Sequence, residues 1–357
     1  MDLIPPDDTP VVPRTVRQVN PLLQARWDNL LLTHPDYTFF HSAAWARVLC
    51  DTYHYHPTCF TVNEDHRLLA LLPVMEVNSW LTGRRGISLP FTDDCHWPDY
   101  DALLEDSLIP EVIRYGRRRG WRYVEWRGGK DHFAEAPASH SFLGHELSLV
   151  DPESRLFAGC ESAVRRAIRK AEHLGVTVGI SRTRDAVETF YALHCQTRRK
   201  HGLPPQSLDF FRNIYRHVLS TGLGWVFVAR HQGTPIAAAI FFHLGAKAIY
   251  KYGASAEAQQ HLRGNNLVIW EAIKWYVRHG YTRLDFGRTS LSNQGLRRFK
   301  LAWGTQERRI DYVRFDFEQE TFVTGADQAR GWHNRIFKML PENLSRLIGA
   351  ALYRHVA

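Results

Sequence analysis

Between Trp225 and Trp303 the chain places three strand-length runs ahead of a Gly/Asn loop, a helical pattern and a further strand. Residues 225–230, 235–244 and 246–253 read as strands, with Gln232-Gly233 and Gly245 as the turns between them. The loop 259–266 follows, then a helix over 267–279, a strand over 282–286, and the basic run Arg297-Arg298-Phe299-Lys300. A glycine ahead of a helix lets backbone N–H groups come close to a phosphate or pyrophosphate, and Gly264 stands at that place. The same residues also suit an ordinary helix start, with Asn265 or Asn266 as N-cap.

At 357 residues the chain exceeds the usual size of one core, so two packed units are expected. A hydrophobic content of 44% excludes wholesale disorder. The excess of 45 Lys and Arg over 37 acids gives a net charge of +8, which favours an anionic partner such as a nucleotide, CoA, tRNA or an acidic lipid. Five scattered cysteines without a C-x-x-C pair argue against a disulfide framework or a zinc site, and they are expected reduced and mostly buried. No apolar run approaches the roughly 20 residues of a spanning helix. The acidic, Pro-rich start at Met1 has no apolar signal core, so a cytoplasmic location is expected.

The expected organisation is a loose arm over 1–20, a first unit over 21–150, a second over 151–325 and an amphipathic helical tail over 326–357. In the first unit helices are expected over 21–29, 41–49 and 107–119, the last ended by Gly120, with a hairpin of strands 56–62 and 68–74 and a strand over 121–127. In the second, helices are expected over 162–174 (ended by Gly175), 184–200 and 207–220, with strands over 176–180 and 310–317. Both units show an order of helices, hairpin, helix and strand. The tail places Ile336, Phe337, Leu340, Leu344, Leu347 and Ile348 among basic residues. Such a helix either docks on the protein's own core or lies on the inner face of an anionic membrane.

The run Ser162-Ala-Val-Arg165-Arg166-Ala-Ile-Arg169-Lys170-Ala171, with Pro235-Ile-Ala-Ala-Ala-Ile-Phe-Phe, Ala248-Ile-Tyr250-Lys-Tyr252-Gly, Asn266-Leu-Val-Ile-Trp270, Asp285-Phe-Gly287-Arg288 and Phe299-Lys300, resembles the Fem-type (FemABX-like) branch of the GNAT acyltransferase superfamily. The set often described as BioF2-like or CelD-like is similar in the same pieces. Phe40-His-Ser-Ala-Ala-Trp45 and Ser88-Leu-Pro-Phe-Thr-Asp93 extend the resemblance into the first unit, so that it covers about 38–315. It implies an α/β (α+β) fold of two GNAT-like units, each a mixed, mostly antiparallel sheet flanked by helices. It also implies an acyl- or aminoacyl-transferase that binds no tight cofactor. The donor would be acyl-CoA or aminoacyl-tRNA, and the acceptor a peptidoglycan or exopolysaccharide precursor of the cell envelope. The other reading is a non-catalytic protein of this fold that binds a nucleotide- or lipid-linked glycan precursor. Monomer and dimer are both open.

For the donor the expected residues are Tyr250, Arg263, Gly264, Asn265 and Asn266. Only Gly264 keeps its place in the usual GNAT loop pattern, so both donors remain open. The resemblance puts Lys300 at the transfer site, where an ammonium would stabilise an oxyanion or neutralise a donor phosphate. Asp285, with Glu271 as the other choice, is the candidate general base, and Tyr252 a candidate proton donor. Period-2 geometry would place Tyr250 and Tyr252 on one face of their strand. Arg165/Arg169 and Arg166/Lys170 are i,i+4 pairs that would form one cationic face, either substrate-binding or merely solvated. Arg288 and Arg297 complete the expected substrate contacts. His54, His56 and the run Asp93-Asp94-Cys95-His96 lack a sensibly spaced third ligand, so no metal is expected.

Overall fold

The computed structural model describes residues 15–95, 107–133, 135–325 and 340–355. The first half of the chain carries β1 (Arg17–Val19), α1 (Trp27–Leu31), α2 (Ala43–Tyr53), β2 (His56–Glu64), β3 (Arg67–Ser79), β4 (Gly83–Ile87), α3 (Ile109–Arg119), β5 (Tyr123–Arg127) and β6 (His140–Ser148). Local chemistry explains several boundaries. Ser42 accepts from the Trp45 N–H at 3.2 Å to start α2, and Gly120 ends α3 in the left-handed region at φ 67°. The β2–β3 turn uses Asp65 and His66, both at positive φ, as a right-twisting two-residue hairpin requires. The helix expected over 21–29 is reduced to the five residues of α1, because Arg26 stands in the left-handed region immediately before it. Part of the expected arm, Arg17–Val19, pairs with β2 as an edge strand.

The second half holds α4 (Glu153–Gly159), α5 (Ser162–His173), β7 (Thr177–Ser181), α6 (Arg184–Lys200), α7 (Leu208–Ile214, continued by a π-turn), β8 (Gly224–His231), β9 (Thr234–Leu244), β10 (Lys247–Ser255), α8 (Gly264–Arg278), β11 (Arg283–Ser290), α9 (Gln294–Leu301), β12 (Gln306–Asp316), β13 (Thr321–Phe322) and α10 (Glu342–Leu352). All the described strands join one sheet, in the order β1-β2-β3-β4-β5-β12-β6-β11-β10-β9-β8-β7, with β13 on β12. Among the described pairs only β4–β5 and β10–β11 are parallel. The architecture is thus the expected mixed, mostly antiparallel sheet with helices. The sheet runs unbroken across residue 150 because two strands exchange sides. β6 lies between β11 and β12, and β12 lies between β5 and β6.

Alternation along the strands separates two cores. In β8, Val226 and Val228 face one core while Phe227 and Ala229 face the other. The first core continues through the β2–β5 half and under α6 and α7; the second lies under α4, α5 and α8. Of the tail, Ile336 and Phe337 fall outside the described residues. The described part, α10, docks on the body. Arg346 stacks on the Tyr191 ring, a side chain on Gly349 would meet the Pro205 carbonyl, and Tyr353 hydroxyl accepts from Arg198 at 2.6 Å. No described helix is long and apolar enough to cross a membrane.

Candidate active site

β10 and β11 pair only over Lys247–Ile249 and Arg283–Asp285, then part. Both strands are bulged at the point of parting. In β10 the register moves from Tyr250↔Phe241 to Tyr252↔Ile240, leaving Lys251 as the extra residue. In β11 the pairing with β6 jumps from Asp285 to Arg288, and Gly287 takes φ 71°. A bulge re-aims side chains, and this one overturns the expectation that the two tyrosines share a face. The Tyr250 ring lies 5.2 Å from Phe241 and 6.0 Å from Phe286 in the second core. The Tyr252 ring lies 5.5 Å from Phe211 and 6.2 Å from Phe210 in the first.

Into the notch between the parted strands come charged groups from four segments. Lys251, 7% exposed in its side chain, donates to Asp93 Oδ2 at 2.8 Å. Asp93 arrives on the loop after β4 and sits against Gly287, where a Cβ would stand 3.1 Å from its carboxylate. Gly287 is therefore required twice, by its φ and by that approach. Burial works against ionised Asp93, but Lys251 and Arg288 outweigh it and hold its carboxyl below the usual range. Asp285 has a different environment. Burial pushes it up to about 7, against a 2.5 Å hydrogen bond from the Gly287 N–H and the charge of Arg308. Lys300, 4% exposed on α9, donates to the carbonyls of Gly287 at 2.8 Å and Arg288 at 2.9 Å. Burial lowers it to about 8, opposed by Asp93 and Asp285. A frame closes the cluster: Arg288 donates to the Tyr312 hydroxyl, which donates to the Asp93 carbonyl at 2.8 Å, and Arg308 pairs with Asp94.

Asp285 connects the notch to a cleft on one face of the sheet, and a separate groove lies on the other face. On the first-core face a cleft of about 310 Å³ is lined by Asp36, Phe39, Phe40, Asp94, Glu146, Lys247, Arg283, Asp285 and Arg308. On the second-core face a groove of about 590 Å³ is lined by Arg166, Lys170, Arg263, Asn266, Phe299 and Ala302. The groove thus joins α5, the start of α8 and α9. Gly264 opens α8 packed against Ile236, where a Cβ would come within 2.9 Å. Arg263 precedes it at φ 59° and accepts through its carbonyl from the Asn266 N–H at 3.0 Å.

The two cationic rows of α5 do not form one face. Arg165 donates to the carbonyls of Ala158 and Cys160, both at 2.6 Å, and Arg169 stacks on Phe157, so this row is spent on α4. Arg166 and Lys170 are exposed and line the groove. Arg297 is bound in a fork to Glu307 at 2.7 and 2.9 Å. Arg288 lies over the Phe142 ring at 4.2 Å. Tyr250 and Tyr252 are half-buried among rings, and burial raises both hydroxyls, Tyr250 to about 12, so both stay protonated. Glu271 pairs with Lys274 at 2.8 Å on α8. Sequence reasoning assigned no role to Lys251 or to Asp93 in this cluster. Asp93 stands in the Ser88–Asp93 piece of the resemblance and in a metal-like run, of which His96 lies outside the described residues. Among the described residues no group of three metal-ligating side chains occurs.

This arrangement holds a carboxyl that changes charge near neutrality and lines the cleft, beside an ammonium that remains protonated there. It can take a proton from an incoming nucleophile while countering negative charge on a carbonyl oxygen. Residues 159–301 match the family model of the Acetyltransferase (GNAT) domain. No curated protein matches the sequence. The crystal structure of FemX aligns with 80% of this chain and 94% of its own, at 15% identity and a TM-score of 0.66. The C-terminal domain of a putative lysylphosphatidylglycerol synthetase from Agrobacterium fabrum aligns over 78% and 88%, at 14% identity and a TM-score of 0.53. A tandem GNAT protein from the clavulanic acid biosynthesis pathway aligns over 85% and 98%, at 11% identity and a TM-score of 0.50. Residues 159–301 thus carry the match to a GNAT domain, within a fold that the chain shares with FemX and with a tandem GNAT protein.

Proposed function

We propose that the protein transfers an acyl or aminoacyl group from an anionic donor in the groove to an amine or hydroxyl of a cell-envelope or exopolysaccharide precursor in the cleft. The observation that carries this reading is the double bulge. It parts β10 from β11 next to Asp285, which lines the cleft, and next to Gly287, whose carbonyl accepts from Lys300. Arg166, Lys170 and Arg263, with the N–H groups at the start of α8, suit the phosphates of acyl-CoA or of the end of an aminoacyl-tRNA. The acceptor enters among Asp36, Asp94, Glu146 and Asp285, and gives its proton to Asp285 as its lone pair attacks the donor carbonyl. The new C–N or C–O bond forms, the donor's thioester or ester bond breaks, and the leaving thiolate or alkoxide takes up the proton that Asp285 accepted. Lys300, through the N–H not bound to Gly287 or Arg288, faces the developing oxyanion. The likeness to a putative lysylphosphatidylglycerol synthetase supports the aminoacyl variant, and the likeness to the tandem GNAT protein supports the acyl variant.

The test is transfer and thermal-shift measurement with acyl-CoA and with aminoacyl-tRNA, each with envelope precursors as acceptors. One donor should raise Tm and support transfer, and Lys300→Ala should lower kcat about 100-fold, the order lost with an oxyanion donor. If Lys300→Ala leaves transfer unchanged, the assigned role of Lys300 is wrong. If no donor and no precursor shifts Tm, the transferase reading fails as a whole.

A further inference from the structure

Away from the notch, the β3–β4 hairpin ends in an apolar tip. Trp80 is 83% exposed and Leu81 55% exposed, where a turn is ordinarily polar. The tip is rigidly held. Ser79 Oγ accepts from the N–H groups of Leu81 at 3.2 Å and Thr82 at 2.9 Å, and Gly83 completes the turn at φ 81°. The end of the chain locks it from below. His355 Nδ1 lies 2.9 Å from Ser79 Oγ, and the His355 carbonyl accepts from Thr82 at 3.1 Å and Arg85 at 2.7 Å. The Trp80 ring stands edge-on to the His355 ring at 5.4 Å.

The surroundings are basic. Residues 79–85, 119–122 and 353–355 contribute Arg84, Arg85, Arg119, Arg122 and Arg354 and no acid. Arg85 is spent on His355 and Arg119 on Glu76, while Arg122 and Arg354 are exposed and Arg84 is half-buried at the rim. Residues 353–355 also join this tip to α10, whose Leu344 and Leu347 are exposed at 44% and 69%. An indole with an apolar body and a polar edge suits a membrane–water interface, and a ring of arginines suits lipid phosphates. Neither signal alone gives firm attachment, and the two coincide here.

We propose that the Trp80-Leu81 tip with its arginine rim seats the protein on an anionic phospholipid surface. The proposal is independent of the transfer chemistry, since none of these residues lines the cleft or the groove. The experiment is flotation of the full chain with phosphatidylglycerol/phosphatidylcholine vesicles and with phosphatidylcholine vesicles alone. Binding is expected to the former, weakening with salt. Trp80→Ala combined with Leu81→Ala should lower it about tenfold, and Arg84→Gln with Arg122→Gln several-fold. The Tm of the Trp80/Leu81 variant should equal that of the parent, because both side chains project into solvent. The proposal is overturned if the parent does not float with anionic vesicles, if it floats equally with neutral ones, or if the Trp80/Leu81 variant floats as the parent does. A dimer in solution that this variant dissociates would assign the tip to a second copy instead, and would equally overturn it.

Discussion

The cleft and the groove lie on opposite faces of one sheet, and their walls differ in charge. The cleft sets Asp36, Asp94, Glu146 and Asp285 among Lys247, Arg283 and Arg308, so its charges largely cancel. The groove presents Arg166, Lys170 and Arg263 without an acid. A cancelled field selects by hydrogen bonding and shape, whereas an uncancelled one draws in anions and weakens with salt. The strands supply most of the cleft's charges, from β6, β10, β11 and β12. The 36–40 segment adds Asp36 on that face, whereas the groove is walled by α5, the start of α8 and α9.

The largest expected effect tests the cleft. Asp285→Asn should lower kcat by about 100-fold or more while leaving donor affinity unchanged, as for loss of a general base. In the parent, the rate should rise through pH about 7 as Asp285 loses its proton and fall through about 8 as Lys300 loses its own. The Asn variant should keep only the alkaline limb. If donor affinity falls together with kcat, the two openings do not act separately and the comparison breaks. A middle-sized effect tests the groove. Arg166→Gln with Lys170→Gln should raise donor KM about tenfold and flatten its salt dependence, with acceptor KM unmoved. The smallest effect tests the division within α5. Arg165→Ala should leave donor KM as it was and cost about 1 kcal/mol of stability, measured by denaturant unfolding, through its lost bonds to the Ala158 and Cys160 carbonyls.

Much of the fold was legible because its strongest elements carry local signals. The ends of α5 and α3 follow from Gly175 and Gly120, α6 from its periodicity, and β8 to β10 from apolar runs with turn residues between them. β4 and β6 were missed for the opposite reason. Gly-Arg-Arg-Gly-Ile is too polar to read as a strand, and His140–Ser148 becomes one only because β11 and β12 clamp it from both sides. At the site, Lys300 and Asp285 were visible through their motif. The Tyr250-Lys251-Tyr252 bulge was not, since nothing in three consecutive strand residues announces an extra one. Without the bulge neither Lys251 nor its partner Asp93 points anywhere in particular. Arg165 and Arg166 are equivalent as sequence, and only the position of α4 divides them.

The placement of β12 between β5 and β6 carries a consequence for biosynthesis. A ribosome delivers β5 and β6 more than 150 residues before β12. The N-terminal half therefore emerges with the edges it will later give to β12 still open, and such edges invite pairing with other chains. Completion of this half must wait until residues 306–316 have been made. A nascent chain stalled before that point would expose two templates for aggregation, and the finished protein could not be cut near residue 150 into halves that each keep a full sheet.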